Sequence, residues 1–161
     1  MPVTLSGLGG GKTMRRLTLT SGTSWTVPTG VTFVNVTLYG GGGSGGTYNA
    51  VDGNNGGTTT FTGATSATGG VGGAGIGGGN TMNGRAAQAN SSQGGQYGQY
   101  ISSVSMFRAQ QGYNGNVISS TVSTTPGASI SYAIGAGGTS APGSADSGAG
   151  GSGRIDIEYW V

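Results

Sequence analysis

Glycine fills 39 of the 161 positions and is bunched into runs at 40–43, 69–79 and 148–153. Such runs have almost no side chain to bury, and glycine loses more backbone freedom on folding than any other residue. Whatever core this chain forms must come from the stretches between the runs. Those stretches are short, and their apolar residues alternate as in β-strands. The chain therefore reads as a small β scaffold carrying long glycine loops.

The length suits one domain, and a hydrophobic fraction of 33% predicts a small core. Only 6% of residues are charged, so disorder driven by charge repulsion does not operate. The net charge is +2. Lys12, Arg15 and Arg16 lie together, but Arg85, Arg108 and Arg154 are scattered, too thin a stripe for nucleic acid. Cysteine and histidine are absent, which excludes disulfides and Cys or His metal sites and removes the commonest general base. A small fold without disulfides then draws stability from oligomerisation. The opening MPVTLSGLGGGKTMRR has no signal-peptide pattern and no stretch reaches membrane-span length, so synthesis in a cytoplasm without membrane insertion is expected.

Along the chain, Leu17 and Leu19 share one face of RLTLT, and Trp25 and Val27 share one face of the next stretch. Pro28-Thr29-Gly30 predicts a turn. The clearest strand is 31–39, with Val34, Val36 and Leu38 on one face, stopped by glycine at 40. The stretches 58–62, 100–107 and 117–122 are weaker strand candidates, and a short helical turn within 84–111 stays open. At the far end, Ile130, Tyr132 and Ile134 alternate, as do Ile155, Ile157, Tyr159 and Val161. The reading is all-β, a β-sandwich or jelly-roll-like domain over 16–161, with a flexible arm over 1–15 and display loops over about 40–128. Its expected core is Leu17, Leu19, Trp25, Val27, Val34, Val36, Leu38, Ile130, Ile134, Ile155, Ile157 and Tyr159.

Glycine recurs at 69, 72, 75 and 78, and Ala145, Gly148 and Gly151 share that spacing. Three residues per turn is the repeat of a polyproline-II-type helix, in which glycine lets backbones approach closely. Polyglycine-II-like segments and flexible loops are equal alternatives here.

Two motif matches carry no chemistry. Ser6 to Thr13 (SGLGGGKT) ends like a phosphate-binding loop, but Ser6 stands where the first glycine belongs and a strand pattern follows where a helix is required. Gly70, Gly72 and Gly75 match a dinucleotide fingerprint without a βαβ context. The only acids are Asp52, Asp146, Asp156 and Glu158. Asp156 and Glu158 share the solvent face of a strand, and the two loop acids fall short of a calcium site. No enzymatic role, cofactor or metal is expected.

Tyr48, Tyr97, Tyr100, Phe107 and Tyr113 all fall among glycine, serine and asparagine. That mixture suits adaptable recognition loops, where a rigid ring supplies contact area at low entropic cost. It equally suits rings that pin loops to the scaffold or to a neighbouring subunit.

The segment SGTSWTVPTGVTFVNVTLYGGGGSGG resembles the opening of glycine-rich domains of tailed-phage tail fibres and related virion proteins, and SISYAIGAGG with GSGRIDIEYWV resembles their closing hairpin. The resemblance covers about half of the chain. It implies a virion structural protein, often a homotrimer, displaying variable loops for attachment to a host surface glycan or outer-membrane protein. By position those loops are 47–58, 81–116 and 139–147, with Tyr48, Tyr97, Tyr100, Phe107 and Tyr113 as candidate receptor contacts. Lys12, Arg15 and Arg16 are candidates for docking on another virion protein. Two alternatives stay open: a capsid or tail decoration protein anchored by its arm, and an ice-binding or matrix protein of stacked glycine helices.

Overall fold

The computed structural model describes residues 12–47, 50–75, 110–142 and 147–161, together with the backbone of 81–82, 99–101 and 106–108. The described residues form ten strands and no α-helix: β1 (Met14–Leu19), β2 (Ser24–Thr26), β3 (Phe33–Tyr39), β4 (Thr60–Phe61), β5 (Thr81–Met82), β6 (Gln99–Ile101), β7 (Met106–Arg108), β8 (Val117–Ser123), β9 (Ser129–Ala133) and β10 (Arg154–Trp160). The protein is all-β.

Four strands pair antiparallel in the order β1-β10-β3-β8, and three in the order β2-β9-β4. The alternation in β3 and β10 sets the first sheet's inner face, where Val34, Val36, Leu38, Ile155 and Ile157 are buried with Val122 of β8. Phe61, Ile130 and Tyr132 of the second sheet belong to the same cluster. Trp25 reaches between the sheets, its ring 6.4 Å from Phe61 and 5.8 Å from Tyr159. Each fully buried aliphatic or phenyl side chain contributes roughly 1.5–3 kcal/mol, so this sandwich core holds the fold. Val27 and Val31 are buried beside a turn closed by the Val31 amide on the Pro28 carbonyl at 3.2 Å. Gly30 takes φ 80° there, the left-handed corner of a type II turn.

Most expected core positions are buried or packed against the core, but Leu17 on edge strand β1 is only half-buried. Phe61, Val122 and Tyr132 are core residues that the sequence reading left out. Tyr132, which the alternation set on the face of Ile130 and Ile134, is buried with them, its hydroxyl donating to the Ser21 carbonyl at 2.8 Å. The first strand starts at Met14, so Arg15, expected in the arm, pairs in the sheet beside Arg16. The candidate strand 100–107 falls on two short strands, β6 and β7, which pair with β5 in a third small sheet. The helical turn considered within 84–111 lies outside the described residues, apart from those strands.

The glycine-rich stretches are hydrogen-bonded with a three-residue period. In 40–47 successive amides go to three different neighbours: Gly40, Gly43 and Gly46 to the carbonyls of Asn116, Tyr113 and Gln110; Gly41, Ser44 and Thr47 to Gly57, Asn54 and Val51; Gly42 and Gly45 to Gly151 and Gly148. Each series steps by three residues on both sides. That is a polyproline-II-type helix bonded to parallel and antiparallel copies of itself. Two more segments donate to its carbonyls, Gly70 and Gly73 to Gly41 and Ser44, and Gly138 to Gly42. The segment 40–47 is thus the axis of a bundle, flanked in order by 110–116, 68–75, 51–57, 135–141 and 147–153, each bonded to the next.

Position in the bundle explains the composition. Every residue of 40–47 is buried, so each must be small. A side chain on Gly43 would overlap the Val71 carbonyl, and one on Gly150 would overlap the Gly42 carbonyl. On a ring segment the positions that face the axis or a neighbouring segment are so constrained and the outward ones are not: Gly112 and Gly115 are buried, and side chains on Gly69 and Gly72 would overlap Gly56 and Gly53, while Gln111, Tyr113 and Asn114 are exposed. The display range that began at residue 40 therefore has to be corrected. Its first eight residues are all buried, because a threefold segment satisfies its backbone only when surrounded.

Candidate functional site

Chain direction gives the molecule two poles. β3 runs straight into 40–47, β9 into 135–141, and the bridge at Ala67 into 68–75, so these three segments leave the sandwich; 51–57, 110–116 and 147–153 return to it. The described ends where outgoing segments stop and returning ones begin, Thr47 with Val51, Ala74 with Gln110 and Ala141 with Ser147, consequently meet at the far end of the bundle. At about 3.1 Å per residue, the eight residues of 40–47 set that end roughly 25 Å from the sheets. The opposite pole holds Thr13 and Val161, which exchange two backbone hydrogen bonds at 2.7 and 3.0 Å.

The distal ends are fastened by short polar side chains. The Thr47 hydroxyl donates to the Val51 carbonyl at 3.2 Å and accepts from the Val51 amide at 3.2 Å, bridging a turn in which Ala50 takes φ 60°. Asp52 Oδ1 accepts from the Gly75 amide and Asn55 Oδ1 from the Gly72 amide, both at 2.9 Å. Asn54 Nδ2 donates to the Thr139 carbonyl at 2.9 Å, and the Ser147 hydroxyl accepts from the Ala141 amide at 2.8 Å. Asp52 and Asn55 are spaced by three, as are the glycines they bind. The connections thus leave a rigid base.

Of the candidate receptor contacts, Tyr48 and Tyr97 lie outside the described residues, and Tyr100 and Phe107 are described only as backbone in β6 and β7. In sequence Tyr48 falls within 47–51, and Tyr97, Tyr100 and Phe107 within 75–110. Tyr113 sits on the flank of the bundle at 61% exposure, its amide bonded at 2.8 Å to the carbonyl of Val71, itself 59% exposed. The structure does not bring Tyr113 to the connections themselves.

Of the candidate docking residues, Lys12 is exposed at the opposite pole, and Arg15 and Arg16 sit in β1 opposite Tyr159 and Glu158. Arg16 reaches Glu158 at 3.2 Å. Beside them Met14, Trp160 and Phe33 line up across three strands on the outer sheet face. The Trp160 and Phe33 rings stand 5.9 Å apart, and Met14 and Phe33 are 55% and 46% exposed.

Between the poles, the outer sheet face has a shallow depression of about 390 Å³ lined by Asn35, Thr37, Ser119, Thr121 and Glu158. Its polar groups are already paired: Thr121 with Asn35 at 2.8 Å, Thr37 with Ser119 at 3.0 Å, Glu158 with Arg16. Asp156 takes the Thr18 hydroxyl at 2.7 Å and Arg154 at 3.4 Å. Among the described residues no three acids, histidines or cysteines gather as a metal site, and no helix is long and apolar enough to cross a membrane.

No protein-family model matches this chain, and no curated protein matches it. The three-residue rhythm was legible at 69, 72 and 75, but those glycines face 51–57, while Gly70 and Gly73 bond to the axis. The pairs Gly53 with Gly56, Gly112 with Gly115 and Gly135 with Gly138 carry the same spacing and could have been found by it.

Proposed function

We propose that this is a non-enzymatic phage virion protein, a tail-fibre tip or adhesin that attaches to the host surface. One observation carries the reading: the described ends of the bundle's outgoing and returning segments meet at one pole, and the Thr13–Val161 pair stands at the other. A rigid bundle spends little entropy when its connections bind a surface. Sequence can then vary in 47–51, 75–110 and 141–147 without disturbing the threefold packing. The arm pole mounts the domain on another virion protein, and the assembly is a homotrimer. The target is a host glycan or outer-membrane protein, met by Tyr48, Tyr97, Tyr100, Phe107 and Tyr113.

The test is binding of purified protein to host cells, with Tyr97, Tyr100 and Tyr113 replaced together by alanine. Binding is expected in the parent and lost in the triple variant at unchanged melting temperature. An image of the intact particle with this chain on the capsid would overturn attachment in favour of decoration. Mass in solution checks the trimer.

A further inference from the structure

Among the described residues β1 is an edge strand of its sheet with no partner on its outer side. Thr13 and Val161 form a hydrogen-bonded antiparallel pair, and such pairs alternate along a ladder. Arg15, Leu17 and Leu19 therefore bond to β10, while the amides and carbonyls of Met14, Arg16 and Thr18 point away from the sheet. Among the described residues no hydrogen bond covers them. An open row of backbone groups is a template for another strand.

Charge decides which strand. Of the described acids, Asp52 accepts from Gly75, Asp156 is held by Thr18 and Arg154, and Glu158 by Arg16. Lys12 and Arg15 have no ion-pair partner among the described residues. A second copy of this chain paired antiparallel about Arg16 would set arginine against arginine, which is destabilising. That register of self-pairing is disfavoured, and the uncompensated Lys12 and Arg15 favour an acidic strand.

Resting on the proposed mounting role, the geometry points to strand addition: an acidic extended segment of the neighbouring virion protein pairs with β1. Its acidic residues lie opposite Arg15 and Arg16, and an apolar residue lies beside Met14 on the face that continues into Trp160 and Phe33. Main-chain bonds supply affinity and the alternate side chains supply specificity.

The probe is a synthetic extended peptide of β-branched residues with two adjacent glutamates at its centre, compared with the same peptide carrying two lysines. Amide hydrogen exchange of the full chain is followed by NMR. The glutamate peptide is expected to slow exchange at Met14, Arg16 and Thr18 by about tenfold or more, leaving Arg15 and Leu17 as they were. The lysine peptide should do nothing. Arg15→Glu should weaken the glutamate peptide by about tenfold and admit the lysine peptide. No protection by either peptide, equal protection by both, or protection that grows with protein concentration alone overturns strand addition. The mounting reading fails separately, if a particle image turns the Thr13 and Val161 pole away from the virion.

Discussion

The Thr59 hydroxyl donates a 2.7 Å hydrogen bond to the carbonyl of Tyr39, the last residue of β3, at the seam where the strand becomes the bundle axis. The same oxygen accepts from the Gly135 amide at 2.9 Å, and Thr59 is fully buried. On the outer face Arg154 lies 3.7 Å above the Tyr39 ring, closing the seam from the other side. Thr59→Val keeps the shape and strands two backbone groups. A loss of about 3 kcal/mol is expected, read as a fall in melting temperature of about 9 °C for a domain of this size.

Gly43→Ala tests the bundle without touching the sandwich. The added methyl would overlap the Val71 carbonyl, backbone that can move only by displacing 68–75. Overpacking of this kind costs about 2 kcal/mol. Hydrogen exchange should show amides of 40–47 and 110–116 losing protection before those of β3 and β10. Equal loss in all four would mean that bundle and sandwich open together.

Gly127→Ala separates crowding from backbone strain. Nothing lies within 4 Å of the methyl position, but φ is 79° at the corner where the Ala128 amide meets the Thr125 carbonyl at 3.0 Å. An L-residue held there costs about 1 kcal/mol. Denaturant unfolding is therefore expected to show a smaller loss than Gly43→Ala, with bundle protection intact.

The sandwich was legible because alternation in β3, β9 and β10 survives tertiary context: Val34, Val36, Leu38, Ile130, Ile155 and Ile157 all went inside. Phe61 was not, because β4 is two residues long and offers no period. The bundle was half legible. Spacing at 69, 72 and 75 marked a threefold segment, but which of three faces meets the axis depends on neighbours up to a hundred residues away, such as Gly148 and Gly151 for 40–47. The roles of Asp52, Asn54 and Asn55 as ties between segments had no local signal, since in sequence they look like ordinary turn residues.

The Arg16–Glu158 pair is expected to contribute little. Its side chains are 64% and 34% exposed at 3.2 Å, a range in which ion pairs are worth about 0.5 kcal/mol and are screened by salt. Glu158→Gln should lower stability by that amount at low ionic strength and by nothing measurable in molar salt. A loss that persists in molar salt would show that Glu158 acts through the Asn35 and Thr121 row instead.

Tyr113→Ala separates stability from attachment at a described residue. The ring is 61% exposed and its neighbour Val71 59%, so neither is needed for the core, and the Tyr113 amide bond to Val71 is backbone and survives the substitution. Stability should change by no more than about 0.5 kcal/mol. If the bundle flank takes part in attachment along with the distal connections, host-cell binding falls while unfolding stays unchanged. If Tyr113 packs against a second subunit, the variant shows instead a lower mass in solution, and Val71→Ala reproduces it. Unchanged binding and unchanged mass would remove the bundle flank from the attachment surface and leave Tyr48, Tyr97, Tyr100 and Phe107 as the proposed contacts.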